Sequence, residues 1–362
     1  MKRAVITGRG VLSPIGCDWP SFATAVRAEQ GAGPRPFLGA LPDEPPLCHL
    51  LSDADALAAF VAARHDEPLG AMATAAVRQA LSEARLATGD GPLDDVGLAM
   101  NTIFGPTTWL EPYLERLLTS GPRAARPAVF VDSLLSMPAS RVGIALGLRG
   151  STTVLGGSSA LEVALDWVRG GRDPAVVAGG GEFQSPKCLR YFHELVRRSG
   201  VEHPAPAQGA AFVVLEEAAH AEARGASRFA ELIGAGAASE PQEVALPWSA
   251  DHDGTALASA MRGALADACV AADAVSTVVL ASGDELAERC ERAAVDAVFG
   301  ERGASLTLLR PKRLLGETLG AAAAISLLVG LAYLEGKAGE TVLVNAFEMG
   351  GAVTSLVVRA PP

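Results

Sequence analysis

The residues of this chain that could do chemistry are few and scattered. A glycine-bearing turn, GGSSA, holds Ser158 and Ser159 between a strand-like run and a helical one, a context similar to the G-x-S-x-G nucleophile elbow of hydrolases. A serine attacks only when a base takes its proton. His49, His65, His193, His203, His220 and His252 all fall outside the segments expected to form a pocket, so helix N-capping is the plainer role for either serine. Cys17, Cys48, Cys188, Cys269 and Cys290 are odd in number, with no CxxC pair and no regular spacing. That argues against a disulfide framework or a zinc site, and no metal or cofactor is expected. Cys290 falls inside a helix that follows Asp284 and reads as a small buried apolar residue rather than a nucleophile.

Two similar stretches must position whatever chemistry there is. Residues 151–182, STTVLGGSSALEVALDWVRGGRDPAVVAGGGE, and residues 316–351, GETLGAAAAISLLVGLAYLEGKAGETVLVNAFEMGG, each read as a glycine-bearing turn, an apolar helix, a glycine-punctuated connection, a short strand and a glycine run. Both helices look apolar on nearly every face, which predicts burial between layers. Around them the pattern alternates strand and helix: strand 4–7, helix 69–86, strand 96–101, strand 210–216, helix 217–224, then strand 229–234 as a restart. Such βαβ alternation implies an α/β fold with a parallel sheet. The helix ending at Gly225 marks the best boundary, giving two pseudo-symmetric halves, 1–225 and 226–362. Residues 109–118 read as an amphipathic helix carrying Trp109, Leu110 and Tyr113, and residues 126–135, which include Phe130, as a proline-led extended segment.

Composition narrows the class. With 49% hydrophobic and 20% charged residues, 39 Gly and 23 Pro, the 362-residue chain suits a globular α/β protein with many tight turns. A formal net charge of -11 argues against a nucleic-acid partner. The N-terminal MKRAVITG has too short an apolar run for a signal peptide, so a cytoplasmic location is expected. The apolar run 319–334 is alanine-rich and bracketed by turn and strand signals, which reads as a buried core helix and not a membrane span.

Taken together, MKRAVITGRGVLSPIG, GPRAARP, SRVGIALGLRG, VVAGGGE, FVVLEEAAHAEARGA and NAFEMGG resemble the β-ketoacyl synthases of fatty acid and type II polyketide synthesis, in order and over nearly the whole chain. The resemblance implies a thiolase-like fold, a duplicated α/β/α/β/α stack. It also implies a cysteine at the first turn of a buried helix, activated by the helix N-terminus, and two histidines for decarboxylation and oxyanion stabilisation. Counting back from VVAGGGE puts Val154 where the cysteine belongs, with Leu155 the alternative. The first histidine position falls on Ser282, within Ser282-Gly283-Asp284, and the second on Glu317, while Lys312 of the associated KxxxGH run persists. Glu317 and Lys312 are then candidates for a buried ion pair. At the gate, NAFEMGG offers Phe347, Glu348 and Met349 where relatives carry GFGG.

These losses resemble one subfamily, the chain-length factors or ketosynthase beta subunits. The resemblance implies a non-catalytic subunit that pairs with a cysteine-bearing ketosynthase and works with an acyl carrier protein. The frame Gly156-Gly157-Ser158-Ser159-Ala160-Leu161 is kept without the glutamine usual before it, which favours polyene-forming or aryl-polyene systems over aromatic polyketides. By the same resemblance Leu110 and Phe130, flanked by Trp109 and Tyr113, would wall off the end of the partner's acyl tunnel. Two other readings stay open: an acyl-transfer or hydrolase-like enzyme using Ser158 or Ser159, and a homodimeric protein that binds an acyl chain or carrier protein.

Overall fold

The computed structural model describes residues 1–37, 45–51, 67–86, 91, 93–199, 203–239, 253–347 and 351–362. In chain order the strands are β1 (Ala4–Leu12), β2 (Arg35–Pro36), β3 (Leu47–Cys48), β4 (Val96–Asn101), β5 (Thr152–Leu155), β6 (Ala175–Glu182), β7 (Gly209–Glu217), β8 (Ala230–Ser239), β9 (Val275–Val279), β10 (Thr307–Leu309), β11 (Thr341–Phe347) and β12 (Ala352–Arg359). The principal helices are α1 (Trp19–Arg27), α2 (Pro68–Glu83), α3 (Thr107–Ser120), α4 (Pro127–Asp132), α5 (Met137–Leu146), α6 (Ala160–Gly170), α7 (Pro186–Ser199), α8 (Ala218–Ala223), α9 (Thr255–Asp267), α10 (Glu285–Phe299), α11 (Pro311–Leu315) and α12 (Ala322–Leu334).

Ten strands join in the order β10-β9-β11-β12-β8-β1-β7-β6-β4-β5. The order is a repeat. β5-β4-β6 are parallel, β7 is antiparallel to β6, and β1 is antiparallel to β7; β10-β9-β11 are parallel, β12 is antiparallel to β11, and β8 is antiparallel to β12, so the sheet is mixed rather than all parallel. The two sets meet where β1 pairs with β8, Ala4 opposite Leu232.

Alternation along the strands sorts side chains into three apolar layers. Leu98, Met100, Phe212 and Val214 pack outward with α2, while Ala99, Val213, Val342 and Val344 face α6 and α12 in the middle. Leu343 and Val357 face α9 and α10 on the far side. The result is the five-layer α/β/α/β/α stack. Glycines let the two central units touch: a Cβ on Gly180 of β6 would run into the carbonyl oxygen of Gly320, just before α12.

Three local expectations change. The α12 helix is buried nearly all round, but α6 exposes Asp166 and leaves Glu162 and Arg169 half-buried, so it is amphipathic rather than apolar on every face. Residues 126–135 are not extended; Pro127 opens α4 at its first turn, where its missing N–H costs nothing. The strand 4–7 runs on to Leu12 because Gly8 and Gly10 give α2 room to pack against it. Among the described residues no helix is long and apolar enough to cross a membrane.

Candidate functional site

The position expected for a nucleophile lies in a strand. Val154 is on β5, opposite Met100 of β4, and α6 begins only at Ala160 after the turn that carries Ser158 and Ser159. The first turn of the helix therefore does not carry Val154. Ser159 occupies the N-cap position without a side-chain capping bond, and Asn101 Oδ1 accepts the Ala160 N–H instead, at 3.1 Å. Ser158 is buried, and its Oγ donates to Thr354 Oγ1 of β12 at 3.2 Å. A hydroxyl is not a base, so this bond does not activate the serine.

The other degenerate positions do converge. Ser282, Lys312, Glu317 and Phe347 share one small recess with Gly283 and Asp284, and its free volume, about 10 Å³, holds at most one water. The expected ion pair is there: Lys312 Nζ lies 2.5 Å from Glu317 Oε2, with both side chains under a tenth exposed. Glu317 Oε1 accepts the Leu319 N–H at 2.8 Å, which holds the carboxylate at the entrance to α12. Behind Ser282, Glu291 of α10 is fully buried and accepts the N–H groups of Ala281 and Ser282 and an amide proton of Asn345. Burial pushes its carboxyl up against the pull of these bonds.

One expectation is overturned by this geometry. His203 does not lie outside the pocket; its Nδ1 is 3.5 Å from Asp284 Oδ2, and both side chains are nearly buried. Burial acts to raise the Asp284 carboxyl, but the His203 bond and the Ala287 N–H outweigh it and hold it below its usual range. His49 also approaches, since Gly316 leaves room for its ring and the 203–208 segment pairs with both His49 and Glu317. Outside the recess, a cavity of about 360 Å³ opens between α7 and residues 203–206, and Pro204 and Glu317 are common to both spaces. The Lys312–Glu317 pair thus stands in the wall between an open apolar vestibule and a filled centre. Met349 and Glu348 lie outside the described residues.

Glu182, at the end of β6, is a second fully buried carboxyl. Burial pushes its carboxyl up to about 7, against the N–H groups of Ile103, Phe104 and Gly320 and the Thr102 hydroxyl. An acid whose pKa is raised on folding keeps a proton that the unfolded chain has lost, so its contribution to stability falls as pH rises from about 4.5 to about 7. Replacing Glu182 by Gln removes that term. Denaturant titrations should show the wild-type chain losing on the order of 3 kcal/mol relative to Glu182→Gln between pH 4.5 and pH 7.5. A difference independent of pH would contradict the protonated form.

Comparison with known proteins points in one direction. Residues 229–339 match the family described as β-ketoacyl synthase, C-terminal domain. A 3-oxoacyl-[acyl-carrier-protein] synthase 2 from Coxiella burnetii is 26% identical, with 91% of this chain and 85% of that one covered. Nodulation protein E of Rhizobium sp. is 26% identical over 90% and 85%. The chain is thus similar to β-ketoacyl synthases over nearly its whole length. Solved structures show the same fold over the whole length: a β-ketoacyl synthase from Burkholderia phymatum at TM-score 0.83, 24% identity and full coverage of both chains, and the ishigamide ketosynthase/chain length factor at 0.84, 22% and full coverage. A ketosynthase in complex with its chain length factor from Xenorhabdus doucetiae gives 0.78 at 17% identity, covering 99% of this chain and 98% of that one.

The remaining candidates lie outside the recess lining, on α3 and α4. Tyr113 and Phe130 pack together, ring centroids 5.6 Å apart, while Trp109 and Leu110 are half-buried on the first turn of α3. Around them Leu114, Leu118, Phe130, Val131, Leu134, Leu135 and Ile144 are all exposed. Exposed large apolar side chains this concentrated between residues 114 and 144 point to an interaction surface. Sequence patterning singles out both segments but takes 126–135 as extended where α4 forms, and it misses His203 because only tertiary pairing of 203–208 with Glu317 carries it inward.

Proposed function

We propose that this chain is a non-catalytic ketosynthase-like subunit, a chain-length factor, which pairs with a cysteine-bearing ketosynthase and helps set acyl chain length in a type II polyketide or aryl-polyene pathway. The observation that carries the reading is the filled centre. Where a synthase needs a thiolate and two imidazoles around an open cavity, this chain has Val154 in a strand, Ser282 in a recess of about 10 Å³, and Glu317 neutralised by Lys312. Nucleophile and base act as a unit, and neither is in place. The likeness to solved ketosynthase and chain length factor assemblies supports the partner, and the apolar face on α3–α5 supplies a surface for it.

A second reading has one specific support. His203 and Asp284 form a base-and-orienter pair of the kind a serine hydrolase uses, although the Ser158 bond runs to Thr354. Labelling with a fluorophosphonate separates the two readings, and labelled Ser158, Ser159 or Ser282 would favour hydrolysis. The test of the first reading is co-expression with a ketosynthase encoded beside it, where co-purification as a one-to-one pair is the expected result.

Leu110 and Phe130 are the residues we assign to the partner's tunnel end. In a reconstituted pair, Leu110→Ala and Phe130→Ala should shift the products toward longer chains, read by mass spectrometry. An unchanged length distribution with the pair intact would mean that these side chains only pack.

A further inference from the structure

The opposite edge of the sheet holds a groove that the reading above does not use. There β10 has a strand neighbour on one side only, and a cavity of about 590 Å³ runs between its outer edge and helices α1, α11 and α12. Val26, Leu309, Leu314, Val329 and Ala332 make the floor apolar. The rim is different in kind. Arg27, Arg310, Arg313 and Lys337 line it, four cations against the two carboxylates Glu29 and Glu335, in a chain whose net charge is -11.

Most of the acid there is already committed. Glu335 takes Arg9 Nη1 and Trp19 Nε1 on one oxygen and Arg27 on the other, so it presents no unneutralised charge to the groove. Glu288 lies behind the rim and is shared by Arg310, through Nε and Nη2, and Arg313, through Nη2. A guanidinium has five N–H donors. Arg27 and Arg313 are each about half exposed and retain donors beyond those bonds, while Lys337 Nζ lies 3.0 Å from the centroid of the Tyr333 ring. Volume, apolar floor and convergent cations together describe a pocket for a small molecule with one charged end.

We propose that this groove binds an amphipathic anion, with a carboxylate or phosphate head against Arg27, Arg313 and Lys337 and an aliphatic tail along Val26, Leu314 and Val329. The site is independent of the degenerate centre and of any partner subunit. It needs only the folded chain.

Calorimetric titration of the purified protein with dodecanoate, with dodecyl phosphate and with dodecanol, each below its aggregation limit, tests it. Saturable one-site binding of either anion supports the site, and the tighter of the two identifies the head group. Arg313→Gln and the double variant Arg313→Gln/Lys337→Gln should weaken binding at least tenfold with unchanged thermal midpoints, because both side chains reach solvent. Lys187→Gln, which pairs with Glu115 and is not part of the groove lining, should bind like wild type. Equal affinity for dodecanol, no saturable binding of either anion, or an unchanged affinity in the double variant would each overturn the proposal.

Discussion

A chain carrying Leu118→Asp and Ile144→Asp will fold normally and will no longer co-purify with a cysteine-bearing ketosynthase. Both side chains are 82% exposed, so replacing them removes little that holds the isolated fold together. At an interface the same carboxylates would be buried without partners, and each unpaired buried charge costs about 3 kcal/mol or more. That corresponds to a loss of roughly a hundredfold or more in affinity per site. Leu118 lies on α3 and Ile144 on α5, and Phe130, Val131 and Leu134, between them in the chain, are exposed too. Size-exclusion chromatography of the co-expressed proteins reads the outcome directly. Retention of the pair by the double variant would place the partner elsewhere on the molecule.

Removing Lys312 should be the most damaging change at the centre. Lys312→Ala leaves Glu317 nearly buried and held against the Leu319 N–H with its counter-charge gone, and breaking one side of such a pair costs about 3–5 kcal/mol. The double variant Lys312→Met/Glu317→Leu removes both charges and should recover most of the loss. Denaturant midpoints check this. A Lys312→Ala chain as stable as wild type, or a double variant no better than the single one, would show that the pair is not what fills the centre.

How far these features could be read in advance depends on the range of the interactions that make them. Periodicity and turn residues located most strands and helices because those are local, and the duplicated strand order follows from the two similar stretches at 151–182 and 316–351. The ion pair was also legible, since Lys312 and Glu317 stand five positions apart around the turn at Gly316. The start of α6 was not. Val154 joins β5 because Met100 is there to pair with it, a contact 54 positions away that no local signal encodes. His203 was missed for the same reason, and so were the buried carboxyls Glu182 and Glu291, whose partners are backbone N–H groups brought in by distant turns. At 126–135 the proline-led segment reads as extended, whereas Pro127 at the first helical position opens α4.

A subunit that supports condensation without performing it, as proposed above, leaves a distinct pattern in a reconstitution experiment. The chain alone, its partner ketosynthase alone and the reconstituted pair are each given an acyl-loaded carrier protein, with malonyl-loaded carrier protein added or withheld. Condensed product and the intact mass of each subunit are then followed by mass spectrometry. The account predicts product from the pair, none from this chain alone, and, in the arm without malonyl carrier, acyl mass on the partner's cysteine with none between residues 151 and 160 of this chain. Acyl attachment within that segment, or condensation by this chain without a partner, would contradict it.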